Sequence, residues 1–254
     1  MTKKLKKFQN FLAKKNLLLI PYLKSKGYSY QLLQKYYQNN WTKKISKGVY
    51  YSGTEDISLF DVIHALVEQA GFKIHIAGIS ALKIFGYYEQ IDFRSKYVLV
   101  YSQKRIFKPK WLKIIELKKN FKIELVYRTF LKTDEFIKEV YVEKKPVPVS
   151  IPERAVLEAI NEIRNYEDYI EFLQVFETII NLNPQHLDEL LINCKSVKVK
   201  RLFLFLSENY KKPYFEKLNL KKYNLGNGVR EVFKSKDNKY ISKYKLMVPE
   251  ILDF

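Results

Sequence analysis

The chain contains no Asp or Glu before Glu55, one cysteine in 254 residues, three histidines and no long uninterrupted apolar run. Each shortage excludes something. With Cys194 alone, neither an intrachain disulfide nor a zinc site of clustered cysteines can form, and a reducing compartment is expected. The longest apolar run, "NLLLIPYL" at 16–23, is far too short to cross a bilayer and is broken by Pro21. The start "MTKKLKKFQN" is basic but lacks the apolar core of a secretory signal, so a cytoplasmic chain that makes no use of a membrane is expected. A basic amphipathic N-terminus resting on anionic lipid is the lesser alternative. His64, His75 and His186 have no mutual spacing that makes a metal site, and His64 and His75 read as packing or locally hydrogen-bonded residues; no metal or other cofactor is expected. Gly-rich phosphate loops, G-x-S-x-G and H-E-x-x-H are all missing.

The missing acids say most. Residues 1–54 hold twelve Lys and no carboxylate, so they carry +12 of the chain's formal +19. A Lys-rich genome raises Lys everywhere but does not remove acids. A folded segment of this charge attracts polyanions, and nucleic acid is the expected partner.

The segment is patterned, so it folds. Leu5, Phe8, Phe11 and Leu12 predict a helix over 3–15. Pro21 to Lys26 reads as a short second helix stopped by Gly27, and Ser29 caps a third over 30–39. The stretch "WTKKISKGVYY" alternates from Trp41, turns at Lys47-Gly48 and resumes, which predicts a hairpin. Three short helices followed by a hairpin is the order of a winged helix-turn-helix. Leu32, Leu33 and Tyr36 take the inner face of the third helix; Gln31, Gln34, Lys35 and Gln38 take the outer one. Glutamine can pair with adenine edges, and lysine with guanine or phosphate. Gln34→Ala is therefore expected to lose sequence preference. Tyr28, Ser29 and Tyr30 are expected to reach phosphates near the helix start. Lys43, Lys44 and Lys47 supply wing cations, and Lys24 and Lys26 flank them.

Beyond Ser58, whose spacing to Asp61 suits a cap, a helix over 59–70 is expected, then the strand "FKIHIAG" and a short helix "SALKIFGYY". Strands are expected from "YVLVYS" (97–102) through "KIIELK" and "FKIELVYRTF", with Pro109 and Trp111 in a connection. Ser150 and Glu153 stand at capping-box spacing; helices follow at 166–180, 184–193 and 197–210, with Asn183 and Ser196 as caps for the last two. A strand-rich end contains a tight turn at Gly226 and Gly228. The fold expected is α+β: a winged helix-turn-helix domain with a helical extension over 1–94, then a mixed α+β domain over 95–254.

Several of these segments resemble the AbiEi-type antitoxins of type IV bacterial toxin–antitoxin systems. The N-terminal likeness runs from "KGYSYQLLQKYYQNNWTKKISKGVYY" to "HIAGISALKIFGYY", with Ala77 in place of the first Gly of the family's element. The more specific likeness lies in "SIPERAVLEAI", "LDELLINCKSVKVKRLFLFLSENY", "NLGNGVREV" and "KYKLMVPEIL". The resemblance implies a winged helix that binds inverted repeats in double-stranded DNA near its own promoter and represses a two-gene operon. It also implies a C-terminal domain that counteracts a nucleotidyltransferase-type toxin without a stable complex. It carries no catalytic residues.

Two further features stand apart. Lys195, Lys198, Lys200 and Arg201 cluster at the start of an apolar helix, where the helix dipole disfavours cations. They read either as a second basic site, for phosphate or for antitoxicity, or as solvated lysines rimming a core helix. Asp92, Glu116 and Lys118 imitate a D…E-x-K nuclease core. A metal-dependent nuclease and a non-catalytic RNA- or protein-binding module are the alternatives to the non-enzymatic DNA-binding reading. Cys194 beside Lys195 reads as a half-buried structural thiol.

Overall fold

The computed structural model describes residues 3–87, 97–131, 135–235 and 237–250. The fold is α+β, and the chain divides into two compact units, one of Met1–His75, Asp92–Tyr127 and Glu139–Pro148, the other of Ile76–Ile91, Arg128–Lys138 and Val149–Phe254.

The first unit begins with α1 (Lys3–Lys15), whose Leu5, Phe8 and Leu12 are buried at helical spacing. Asn16, in the left-handed region at φ 55°, ends it, and its amide donates to the Asp61 carboxylate and to Asp56 O, both at 2.9 Å. The three leucines after it form a strand, β1 (Leu17–Leu19). Then come α2 (Ile20–Ser25), with Pro21 in its first turn, and α3 (Tyr30–Gln38), where Ser29 Oγ accepts from the Leu32 N–H at 3.2 Å. The hairpin β2 (Lys43–Ser46) and β3 (Val49–Tyr51) turns through Gly48 at φ 85°, a conformation that favours glycine. Its sheet has the order β1-β3-β2, with Leu17 opposite Tyr51 and Leu19 opposite Val49. The sequence order of helices and hairpin is thus completed by a strand that a three-residue apolar run did not announce. Leu5, Phe8, Leu12, Leu18, Leu23, Tyr28, Leu33, Tyr36 and Tyr50 close one core. Each such side chain contributes about 1.5–3 kcal/mol by leaving water.

The expected 59–70 helix is present as α4 (Leu59–His64), with Ser58 and Asp61 in a full capping box, running into a π-helical turn over Ala65–Gln69. The Gln69 amide bonds both Leu19 N and Leu17 O, which joins the turn to β1. A second sheet has the order β6-β5-β4-β8-β7, built from β4 (Ile74–Ile76), β5 (Tyr97–Ser102), β6 (Lys122–Tyr127), β7 (Ile137–Val142) and β8 (Lys145–Ser150). Strands β5 and β6 pair in parallel over six residues. Parallel neighbours need a crossover, and "KIIELK" supplies it as α6 (Lys110–Lys119), not as the strand expected from its short apolar run. Pro109 stands at its N-cap, and Asn120, left-handed at φ 51°, stops it.

The second unit contains α5 (Gly78–Ile84), α7 (Pro152–Glu162), α8 (Tyr166–Thr178), α9 (Pro184–Asn193), α10 (Val197–Asn209) and a small sheet of β9 (Arg230–Glu231), β10 (Asn238–Ile241) and β11 (Leu246–Pro249). The Ser150–Glu153 capping box does not form. Ser150 ends β8, Ile151 takes the cap position, and the Glu153 carboxylate accepts from the Asn183 N–H at 2.8 Å instead. Beneath α7, Glu158 is fully buried between Arg154 Nε (2.7 Å) and the Gly78 N–H (3.1 Å), so its charge is paired and hydrogen-bonded.

Candidate nucleic-acid interface

Helix α3 and the hairpin set out the expected side chains on one winged-helix scaffold. Lys24, Lys26, Ser29, Tyr30, Gln31, Lys35, Gln38, Lys43 and Lys47 are all exposed. Gln31, Lys35 and Gln38 share the face opposite the buried Leu33 and Tyr36, so the same periodicity that closes the core sets a polar row outward. Lys26 lies over the Tyr22 ring at 5.4 Å. Among the described residues, Lys24, Lys26, Lys35, Lys43, Lys44 and Lys47 take part in no ion pair. The absence of nearby acids therefore leaves their charge unneutralised.

Two of the expected residues are placed differently. Tyr28 is 2% exposed; its hydroxyl donates to Lys4 O at 3.2 Å and its ring packs against Phe8. It is a core residue and reaches no phosphate. It precedes the N-cap, where an aromatic is drawn inward onto the helix pair beneath. Gln34 is half-buried and engaged: its Nε2 donates to Tyr30 Oη at 2.6 Å, and its Oε1 accepts from Lys44 Nζ at 2.8 Å.

A basic feature of the same unit escaped the sequence reading. Residues 103–122 contain eight cations and one acid, Glu116, which the Lys108 ammonium contacts at 2.7 Å. Lys104, Arg105, Lys110 and Lys113 are exposed, Phe107 is 93% exposed and Leu117 is 85% exposed. Lys118 donates to Ile45 O of β2 at 2.7 Å, which ties α6 to the hairpin. The signal was the acid-poor stretch itself, diluted within residues 55–254, where acids are otherwise plentiful.

The cluster at α10 is not a surface site. Arg201 is 1% exposed, and its guanidinium donates to the carbonyls of Leu225, Gly226, Gly228 and Lys245 at 2.6–2.9 Å. Lys198 donates to Ile163 O and Val232 O, and burial lowers its pKa; Lys200 is buried, with its pKa lowered for the same reason. Lys195 alone is exposed. Lys198 and Arg201 are accommodated at a helix start because backbone carbonyls accept their hydrogen bonds there.

The nuclease triad does not assemble. On α6, Glu116 and Lys118 point to nearly opposite sides, one toward Lys108 and the Ile123 N–H, the other toward the hairpin. E-x-K shares one face only on a strand. Asp92 lies outside the described residues. No group of three metal-ligating side chains occurs among the described residues. His64 bonds Glu68 at 2.6 Å and meets Pro146 O, His75 packs edge-on against Tyr101, and His186 lies against Phe136. Cys194 is buried, and burial pushes its thiol up to about 11.

Residues 95–249 match the family model described as transcriptional regulator, AbiEi antitoxin, type IV toxin–antitoxin system, and residues 1–93 match that of the AbiEi antitoxin N-terminal domain. The chain belongs to the AbiEi antitoxin family. Membership makes it a transcriptional regulator of a toxin–antitoxin system and accounts for the resemblance in "SIPERAVLEAI" and "KYKLMVPEIL". Among solved structures, the crystal structure of the RV2827C protein from Mycobacterium tuberculosis is similar at TM-score 0.64 over 98% of this chain and 92% of that one, with 13% identity. At that identity the likeness is one of fold. No curated protein matches the chain. Among the described residues, no helix is long and apolar enough to cross a membrane.

Proposed function

We propose that this antitoxin binds inverted repeats in the double-stranded DNA of its own promoter through the winged helix and represses its operon. The observation that carries the reading is the set of six lysines on α2, α3 and the hairpin that no carboxylate pairs with. Unpaired cations facing phosphate release counterions, which drives binding at low salt. Gln31, Lys35 and Gln38 are the side chains free to meet base edges. The basic face of α6, tied to the hairpin through Lys118, extends the same phosphate-contacting surface. Residues 1–94 serve as the DNA-binding domain in this reading, with α6 adding phosphate contacts beside the hairpin, and residues 95–254 otherwise counteract a nucleotidyltransferase-type toxin without a stable complex, in the cytoplasm.

The test is a gel-shift titration against the DNA directly upstream of the gene, with random duplex and single-stranded RNA as competitors, at two salt concentrations. The reading predicts operator binding that survives random duplex and weakens steeply with salt. Equal binding to all competitors would replace it with a general polyanion-binding module. For the second half, co-expression with the adjacent gene should restore growth that the adjacent gene alone arrests.

A further inference from the structure

Among the described residues, Lys44 is the lysine of α2, α3 and the hairpin whose ammonium has a side-chain hydrogen-bond acceptor as well as aromatic faces. Its ammonium donates to Gln34 Oε1 at 2.8 Å and lies over the ring of Tyr37 at 4.3 Å and that of Tyr50 at 5.3 Å. The three groups come from the outer helix and the hairpin, and all three are neutral. Burial pushes the Tyr50 phenol up to about 12, so it stays neutral too. Elsewhere in the unit, lysines are fixed by carboxylates: Lys15 by Glu68 and Lys119 by Asp56. Those pairs cancel the charge they fix. A cation held by an amide oxygen and π faces is fixed without being cancelled. It also keeps donors in hand, because an ammonium has three and Gln34 takes one.

Gln34 is correspondingly unsuited to reading a base. A bidentate pair with adenine needs the amide oxygen and the amide nitrogen together. Here the oxygen is taken by Lys44 and the nitrogen is engaged by Tyr30. Gln31 and Gln38 are exposed and, among the described residues, their side chains have no such bonds.

We propose that Lys44 is a pre-positioned contact for a DNA phosphate at the junction of α3 and the wing, seated in a neutral cradle of Gln34, Tyr37 and Tyr50, and that Gln34 is its positioning residue and not a base reader. The proposal rests on the DNA-binding reading above. It reverses the expectation that Gln34→Ala loses sequence preference.

Gel shifts over a salt series, on upstream duplex and on random duplex, separate the roles. Lys44→Gln should lower the slope of log K against log[salt] by about 0.9, the loss of one phosphate contact. Gln34→Glu should lower it by about the same amount, since a carboxylate then cancels the ammonium in place. Gln34→Ala should weaken both duplexes alike and leave their ratio unchanged. Gln31→Ala should instead reduce the ratio by roughly fivefold or more. Circular dichroism confirms that each variant is folded, and Lys44→Gln stands in for any Gln34 variant that is not. A fall in the operator-to-random ratio for Gln34→Ala, or an unchanged slope for both Gln34→Glu and Lys44→Gln, overturns the proposal. Should the unaltered chain bind no duplex, the DNA reading itself fails and the proposal falls with it. Binding without operator preference removes the repressor reading only, and the random-duplex slopes still decide the cradle.

Discussion

The chain carries two dense basic clusters that look alike as sequence and behave in opposite ways as structure. Between Lys24 and Lys47 the lysines other than the half-buried Lys44 project outward, and none of the set has an ion pair, in a segment emptied of acids. Between Lys195 and Arg201 all the cations but Lys195 turn inward, and backbone carbonyls take the place of counterions for Lys198 and Arg201. The difference lies in what surrounds each helix. Helix α3 has one apolar face, which leaves the other in water; α10 is apolar nearly all round, and whatever it carries is drawn into the packing. Cationic density therefore points to a partner only where an outward face exists to present it.

The comparison is broken most forcefully at Arg201. Arg201→Met leaves the carbonyls of Leu225, Gly226 and Gly228 without a donor in a buried setting, Lys245 O keeping the Arg230 N–H, and a loss of roughly 3–5 kcal/mol in urea unfolding is expected. A loss under about 1 kcal/mol would mean that the loop carbonyls find water, and that the cluster is a surface after all. On α3, Ser29→Ala removes the N-cap bond to Leu32 and should cost about 1 kcal/mol of stability. Tyr28→Phe removes only the bond to Lys4 O, for about 1 kcal/mol or less, and should leave duplex affinity unchanged. If duplex affinity falls while stability holds, Tyr28 belongs to the interface. Lys195→Ala, on the one exposed member of the inward cluster, should change neither stability by more than about 0.5 kcal/mol nor DNA binding.

A separate, pH-dependent effect concerns Cys194. Its folded-state pKa is raised from 9.0 to about 11 by burial. The neutral thiol is thus favoured in the fold; its contribution is complete below about pH 9 and is lost as the pH rises through about 11. Relative to Cys194→Ala, the unaltered chain should lose stability over that window, and the native thiol should resist alkylation at pH 8.

Much of this was legible before the structure. The caps at Ser29, Ser58, Asn183 and Ser196 each accept the N–H expected of them, because such caps are local chemistry. Local patterns also misled. "LLL" after α1 pairs with a strand some thirty residues away, and no short-range signal encodes that partner. "KIIELK" became a helix because two parallel strands required a crossover. Glu153 left its capping position for a backbone N–H thirty residues on. In the site, exposed positions followed from periodicity, whereas the burial of Tyr28 and the engagement of Gln34 depended on neighbours from α1 and the hairpin.

If the acid-free winged helix presents the DNA-binding face, its exposed lysines set the affinity for duplex. The most direct test is the affinity of the Lys35→Glu, Lys47→Glu double variant for the upstream duplex, compared with the unaltered chain across a salt series. Both residues are exposed and unpaired, so folding should be unchanged. A large fall in affinity and a salt slope lower by about 2 or more are expected. Unchanged affinity and slope in the folded double variant would contradict that reading.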